Sequence, residues 1–175
     1  MKKLCITFLA LAIIMLSAIG LNATTTIKTK EYLRIHVRAN SNSTIDQDVK
    51  YQIKDLVVAY LTPIIAECNT KSKAQTLLSN SLEGVEDVAD NVLKNKGFSY
   101  KSNAKLCKEN FPTRTYGELV LESGYYDSLI IELGDGKGDN WWCVVYPPLC
   151  FVGDGSGYLY KSKILKIIQD FYKDD

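Results

Sequence analysis

The most reactive side chains in this chain of 175 residues are one histidine and five cysteines. His36 lies between Arg34 and Arg38, and this segment alternates in polarity. Cys143 and Cys150 are seven residues apart, further along the chain. A cysteine thiol becomes a nucleophile when a histidine can take its proton. One hypothesis is therefore a cysteine enzyme or other hydrolase that uses His36 with Cys143 or Cys150, although no motif that would orient such a pair is present.

Other kinds of reactive site lack the residue spacing that they need. Zinc sites and thioredoxin-type redox sites use closely paired cysteines, and the chain contains no CxxC. The glycine-rich segment with Asp135 and Asp139 lacks the glutamate of a calcium loop, because Tyr146 stands at the twelfth position. The serine-hydrolase pattern GxSxG is absent as well. The sequence therefore predicts no metal site and no cofactor.

Both tryptophans lie in the stretch NWWCVVYPPLCF, which spans Asn140–Phe151. Successive side chains of a strand point to opposite faces of the sheet. Trp141 and Cys143 are therefore predicted on one face, and Trp142 and Tyr146 on the other. Exposed aromatic rings commonly anchor protein interfaces, so the second pair predicts a binding surface. The alternative is that helices or loops cover both faces.

Two prolines follow this strand and should end it, because proline cannot donate a ladder hydrogen bond. The bend would allow Cys150 to return to Cys143. A disulfide that closes so short a loop would stabilise the fold by about 2.5 kcal/mol in the chain-entropy model. Cys68 and Cys107 would then form a second pair or remain thiols, and in a reducing environment all four would stay reduced.

The spacing of apolar residues predicts an α+β fold in one domain. Capping boxes predict helices that begin at Thr44 and near Ser72, and a third helix is expected at residues 161–172. The glycine-rich segment Gly134–Asp139 predicts a hairpin between the last two strands. The order of elements favours a mainly antiparallel sheet with about three helices on one face. The strands are predicted at 32–38, 98–106, 119–121, 127–133 and 140–146.

The first 20 residues carry two lysines and then a long apolar run, which is typical of a signal peptide or a membrane anchor. Residues 21–31 are predicted to be a linker, and residues 32–175 the domain. Removal of residues 1–20 leaves 19 basic against 20 acidic residues. Such a balance gives no electrostatic reason to bind nucleic acid, and membrane contact is predicted only through the N-terminal segment.

Three unusual strings resemble the stage II sporulation protein R family. LRIHVRANS at Leu33–Ser41 is similar to the opening motif of that family, and FPTRTYG at Phe111–Gly117 is similar to a second motif. The stretch from Gly134 to Phe151 resembles a third. The resemblance covers residues 32–152, and Cys68 and Cys107 do not belong to the matching motifs.

The resemblance implies a signalling role during endospore formation. Members of the family are made in the forespore and exported into the space between forespore and mother cell. There they activate a membrane-bound aspartic protease, which cleaves the precursor of the sporulation factor sigma-E. The resemblance thus implies a secreted protein, or a membrane-anchored one if the N-terminal segment is retained, that activates a protease without being an enzyme itself.

Strand parity and the matching strings together predict a partner-binding surface on this chain. Two further hypotheses remain open: an exported hydrolase or cysteine enzyme, as above, and a structural protein of the cell envelope with no signalling task. The residues predicted to bind the partner are Arg34, His36, Arg38, Asn40, Trp142 and Tyr146.

Overall fold

The computed structural model describes residues 31–66, 68–117 and 119–151. The predicted N-terminal segment 1–20, the linker up to residue 30 and the predicted helix at 161–172 lie outside the described residues. Within the described ranges the chain alternates strand, helices and strands, as the α+β prediction requires. Its elements are β1 Leu33–Arg38, α1 Thr44–Ala66, α2 Lys71–Asn80, α3 Leu82–Asn95, β2 Ser102–Phe111, β3 Arg114–Tyr116, β4 Leu119–Leu121, β5 Gly124–Leu133 and β6 Asn140–Tyr146.

Strand β1 lies inside a four-stranded sheet with the order β2-β5-β1-β6. It runs parallel to β5 and antiparallel to β6, and β2 runs antiparallel to β5. The prediction of a mainly antiparallel sheet is confirmed. The prediction of a β5–β6 hairpin is wrong, because β1 lies between these two strands. All but the last residue of β1 is buried, so an edge position would have left this apolar strand uncovered.

The segment between β5 and β6 crosses the end of β1 instead of forming a tight turn. The backbone N–H of Gly138 donates to the carbonyl of Ala39 at 2.8 Å, and that of Lys137 donates to Asn40 at 3.2 Å. The N–H of Asp135 donates to the side-chain oxygen of Asn40 at 2.9 Å. These bonds tie the crossing segment to the turn that follows β1.

Helix α1 begins at Thr44, as predicted, but the side chains that cap the first two helices lie one or two residues before the predicted capping residues. Ser43, and not Thr44, caps α1, because its hydroxyl accepts from the N–H of Asp46 at 3.2 Å. Thr70, and not Ser72, caps α2. The single helix predicted from near Ser72 to Gly97 is divided at Ser81 into α2 and α3. Gly97 has a φ of 79° and follows α3, as predicted for a glycine that ends a helix.

The larger part of the core lies between the helices and one face of the sheet. Leu33, Ile35 and Val37 of β1 are fully buried there. Each such side chain contributes about 1.5–3 kcal/mol when it is removed from water. No helix within the described ranges is long and apolar enough to cross a membrane. The helix residues of this core are Val49, Ile53, Val57, Leu61, Ile65, Ala74, Leu78, Val85, Ala89 and Leu93.

Strand β6 changes face near its end because its register with β1 shifts. Arg34 pairs with Val144, but the preceding Leu33 pairs with Tyr146, so one residue of β6 is bulged out. Tyr146 therefore lies on the same side as the helices, where its hydroxyl donates to the carbonyl of Asn69 at 2.9 Å. The prediction that Tyr146 shares a face with Trp142 is wrong for this reason.

Candidate partner-binding site

The three strings that mark the sequence meet on the sheet face opposite the helices. Arg34 and His36 come from β1, Trp142 from β6, and Phe111 from the end of β2. The short ribbon of β3 and β4 adds Tyr116, and β5 adds Tyr126. We call this group the Arg–aromatic cluster; its members are Arg34, His36, Phe111, Tyr116, Tyr126 and Trp142.

Arg34 lies at the centre of the cluster and has no solvent exposure. Its guanidinium carbon is 4.2 Å from the ring centre of Phe111 and 4.9 Å from that of Tyr126. Nη2 donates to the hydroxyl of Tyr116 at 2.9 Å. Nε and Nη1 are buried without a hydrogen-bond partner among the described residues. Aromatic faces attract the guanidinium, but its buried N–H groups remain incompletely satisfied.

His36 stacks on Trp142, with 3.7 Å between ring centres and 20° between ring planes. Nδ1 lies 3.0 Å from Oε2 of Glu109. An ionised carboxylate can only accept, so Nδ1 carries the proton and Nε2 is left with an open lone pair. Nε2 is buried and has no partner within the described ranges.

Burial is the main cause that lowers the pKa of His36 from 6.5 to about 4. The side chain of Asn140 opposes that effect, whereas the charge of Arg38 adds to it. The imidazole is therefore neutral at pH 7. The charges of both flanking arginines lower the pKa as well, but desolvation is the larger cause.

A network of ion pairs borders the cluster on the β2–β5 side. Arg38 pairs with Glu109, and its Nη1 lies 2.6 Å from Glu132. Lys105 approaches the same Glu132 at 2.8 Å. The hydrogen bond from Lys105, followed by the charges of Lys105 and Arg38, holds the pKa of Glu132 below its usual value despite partial burial. Both carboxylates of the network are thus engaged with Arg38.

Trp142 forms the outer border of the cluster on the opposite side. Its indole is half-buried and meets Phe111 edge-on at 4.8 Å. The exposed Arg114 lies 5.6 Å from the indole centre. Trp142 and Arg114 therefore combine a large ring and a cation at the surface, a pairing that is common in interface anchors.

The structure brings four of the six predicted partner-binding residues together. Arg34, His36, Arg38 and Trp142 share one face of the sheet, although the first two are buried and do not form an exposed surface. Asn40 and Tyr146 lie elsewhere. Their partner-binding roles, like those of the other four residues, remain predictions.

Asn40 has a structural task in the turn after β1. Its amide nitrogen donates to Asp46 at 3.0 Å, and its oxygen accepts from Asp135. Asp46 also accepts from Ser41 at 2.5 Å and from Tyr100 at 2.6 Å. Burial opposes ionisation of this carboxyl, but the hydrogen bonds that it accepts hold its pKa below the usual value.

Sequence reasoning missed several members of the site, although two signals pointed to them. Phe111 and Tyr116 belong to the second matching string but were interpreted as an irregular segment. Glu109 alternates with Phe111 along β2, so both point to the cluster face once the strand is extended to residue 111. Tyr126 was missed because β5 begins at Gly124, three residues before the predicted start.

The described residues do not assemble the cysteine–histidine pair that the sequence allowed. Cys143 and Cys150 form a disulfide with their Cα atoms 6.5 Å apart, so neither is a thiolate. Cys143 also pairs with Ile35, whose side chain faces the helices, whereas His36 points to the opposite face. No group of three potential metal ligands occurs in the part of the chain that the structure describes.

Cys68 and Cys107 lie on opposite sides of the sheet. Cys68 follows α1 on the helix side, where its Sγ is 3.7 Å from the carbonyl of Ile64. Cys107 pairs with Ser128 on β5 and so points to the cluster face. Of the two alternatives left open by the sequence, a Cys68–Cys107 disulfide is therefore not the one observed.

Comparisons with known proteins place these strings in one family. A family model described as Stage II sporulation protein R matches residues 29–155, which include the whole cluster. A relative named Stage II sporulation protein R, from Bacillus subtilis (strain 168), is 32% identical over 131 residues. The matched region covers 75% of this chain but 58% of that relative, so the chain spans less than two thirds of its length. No solved structure matches.

Proposed function

The chain belongs to the stage II sporulation protein R family, and from this premise we propose that it is an exported activator of a membrane-bound aspartic protease. Its activity triggers processing of the sigma-E precursor during endospore formation. Membership of the family, over 127 residues that contain the whole cluster, is the observation that carries the proposal. The chain is a sporulation protein, and the proposal adds its partner and its mode of action.

Two features of the chain support export. The N-terminal 20 residues have the basic start and apolar run of an export signal. The chain has a Cys143–Cys150 disulfide, and disulfides persist mainly outside reducing compartments. The proposed location is the space between forespore and mother cell, with the N-terminal segment either removed or retained as an anchor.

The proposed receptor-facing surface is the rim formed by Trp142 and Arg114, with Arg38 at the other end of the cluster face. Arg38 is about a quarter exposed, and Arg114 is exposed. Arg34 and His36 support this surface from below. A partner that covers Trp142 would bury the remaining part of its indole, the type of contact that dominates binding energy at interfaces.

The proposal is tested by co-expression of this chain, the candidate protease and the sigma-E precursor in a host that does not sporulate. Precursor cleavage is expected only when all three are present. Cleavage in the absence of this chain would contradict an activating role. Absence of cleavage with all three proteins present and folded would favour a structural envelope protein.

Variants in the same assay locate the surface. Trp142→Ala should reduce precursor cleavage at least tenfold, whereas Trp141→Ala, which changes the neighbouring half-buried indole on the helix side, should reduce it much less. Arg114→Ala is compared with Lys101→Ala, which removes a cation that is 86% exposed and away from the cluster. Equal effects within each pair would refute the assigned surface.

A further inference from the structure

The positive charge of Arg34 has no carboxylate partner among the described residues. On the same face, Arg38 is balanced by two glutamates, and Lys105 shares one of them. Arg38 and Lys105 are thus paired with carboxylates, whereas the fully buried Arg34 is not. A buried charge without an ionic partner is costly, and aromatic contacts offset that cost only in part.

The hydrogen-bonding capacity of the same group is also incomplete. Nη1 and Nε of Arg34 have no acceptor within the described ranges, and Nη2 donates to the hydroxyl of Tyr116. A carboxylate can accept two parallel hydrogen bonds from the Nη1–Nη2 edge of a guanidinium. Replacement of the Tyr116 hydroxyl by a carboxylate would satisfy both nitrogens and the charge together.

The ribbon of β3 and β4 lies beside Arg34, because its Tyr116 accepts a hydrogen bond from the guanidinium. These strands have three residues each and pair with one another in a separate two-stranded sheet. Such a short ribbon has little stability of its own. Tyr116 links the ribbon to Arg34 through its hydrogen bond. Leu121 of the ribbon is buried, whereas Val120 is 52% exposed. A ligand that displaces Tyr116 therefore needs to break only one described side-chain hydrogen bond between the ribbon and β1.

We propose that Arg34 is the binding site for a single carboxylate group of an acidic peptide segment, which takes the place of the Tyr116 hydroxyl between Phe111 and Tyr126. One carboxylate matches the single charge of Arg34, whereas a phosphate dianion would bring a second negative charge among the aromatic rings. The identity of the peptide as part of the activated protease depends on the function proposed above. The site itself does not depend on it.

The test uses the purified full chain and a tetra-glutamate peptide blocked at both ends. NMR signals of the arginine Nε–H groups and the two indole N–H groups report binding. We expect saturable shifts of the Arg34 and Trp142 signals, with the Trp141 signal as an internal reference. Tetra-glutamine is the matched uncharged control, and inorganic phosphate is the second anion. Absence of saturable shifts, equal shifts with tetra-glutamine, or tighter binding of phosphate would overturn the proposal.

Two variants separate binding from a purely structural role of Arg34. Tyr116→Phe leaves the ring in place but removes the competing hydroxyl, so its affinity for tetra-glutamate should rise severalfold. Arg34→Met should lower that affinity at least tenfold while the melting temperature stays the same or increases, because an unpaired buried charge is removed. An unchanged or lower affinity of Tyr116→Phe, or a large fall in melting temperature of Arg34→Met, would refute the proposal.

The peptide titration contains no protease, so its outcome is independent of the activation assay. Loss of tetra-glutamate binding with intact precursor cleavage would overturn the carboxylate site alone. Intact binding without cleavage would leave the site standing and contradict the proposed function.

Discussion

Acid should destabilise this protein through its single histidine. Burial lowers the pKa of His36 to about 4 in the folded chain, whereas the unfolded chain takes up a proton near 6.5. Unfolding therefore binds a proton between these two pH values. Stability that is fully present above pH 6.5 is lost as the pH falls towards 4.

The size of this loss follows from the two pKa values. One pKa unit corresponds to about 1.4 kcal/mol, so the difference between 6.5 and about 4 corresponds to about 3 kcal/mol. The groups that face the imidazole are Glu109, Glu132, Arg34 and Arg38. Lys105 and Arg38 hold Glu132 ionised. Protonation of Glu132 therefore destabilises the folded protein only at a lower pH than protonation of His36 does.

The assay is guanidinium unfolding of the oxidised protein at several pH values from 7 to 4, followed by tryptophan fluorescence. The wild type should lose about 3 kcal/mol more than His36→Gln across this range, because glutamine does not titrate. NMR provides a direct check, since the chain contains one histidine and its ring signals need no assignment. A midpoint at or above 6.5 in the folded protein, or parallel pH profiles of both proteins, would refute the reasoning.

Three other substitutions should change stability through local contacts, each measured as the free energy of unfolding. A Cβ added at Gly138 would overlap the carbonyl of Ser41, so Gly138→Ala should cost about 1–3 kcal/mol, and no loss would show that the crossing segment can move away. Asp46→Ala leaves the half-buried donors to this carboxylate without an acceptor and should cost about 2–4 kcal/mol, with Asp48→Ala on the exposed side as control. Cys150→Ser opens the disulfide loop and should lower the free energy of unfolding by about 2.5 kcal/mol. If the variant and the wild type still differ by the same amount after both are reduced, the disulfide is not the cause.

Local patterns in the sequence were sufficient to predict most elements. The alternation of β1 and the bounds of β6 agree with the structure because they depend on residues next to each other in the chain. Strand neighbours were harder to predict. A glycine-rich segment favours a hairpin, but the apolar β1 required partners on both edges and displaced that pairing.

Parity alone was an incomplete guide to the candidate site. It correctly placed Arg34, His36 and Trp142 on one face, but it suggested that polar strand residues are exposed. In the structure the first two are buried beneath aromatic rings that arrive from β2 and the ribbon. Tyr146 was misplaced by a single bulged residue, because any insertion in a strand reverses the orientation of all that follows.

The position of β1 also constrains how the chain can fold as it is made. This strand is synthesised early, yet Arg38 bonds to a glutamate 94 residues later, and β6 follows later still. The β1–β5 and β1–β6 pairs of the four-stranded sheet can form only after these distant segments have been synthesised. The β2–β5 pair does not involve β1. Such non-local pairing slows folding. A nascent chain would therefore stay without its central sheet until almost the whole described region has been synthesised, a state suited to passage through a narrow translocation channel.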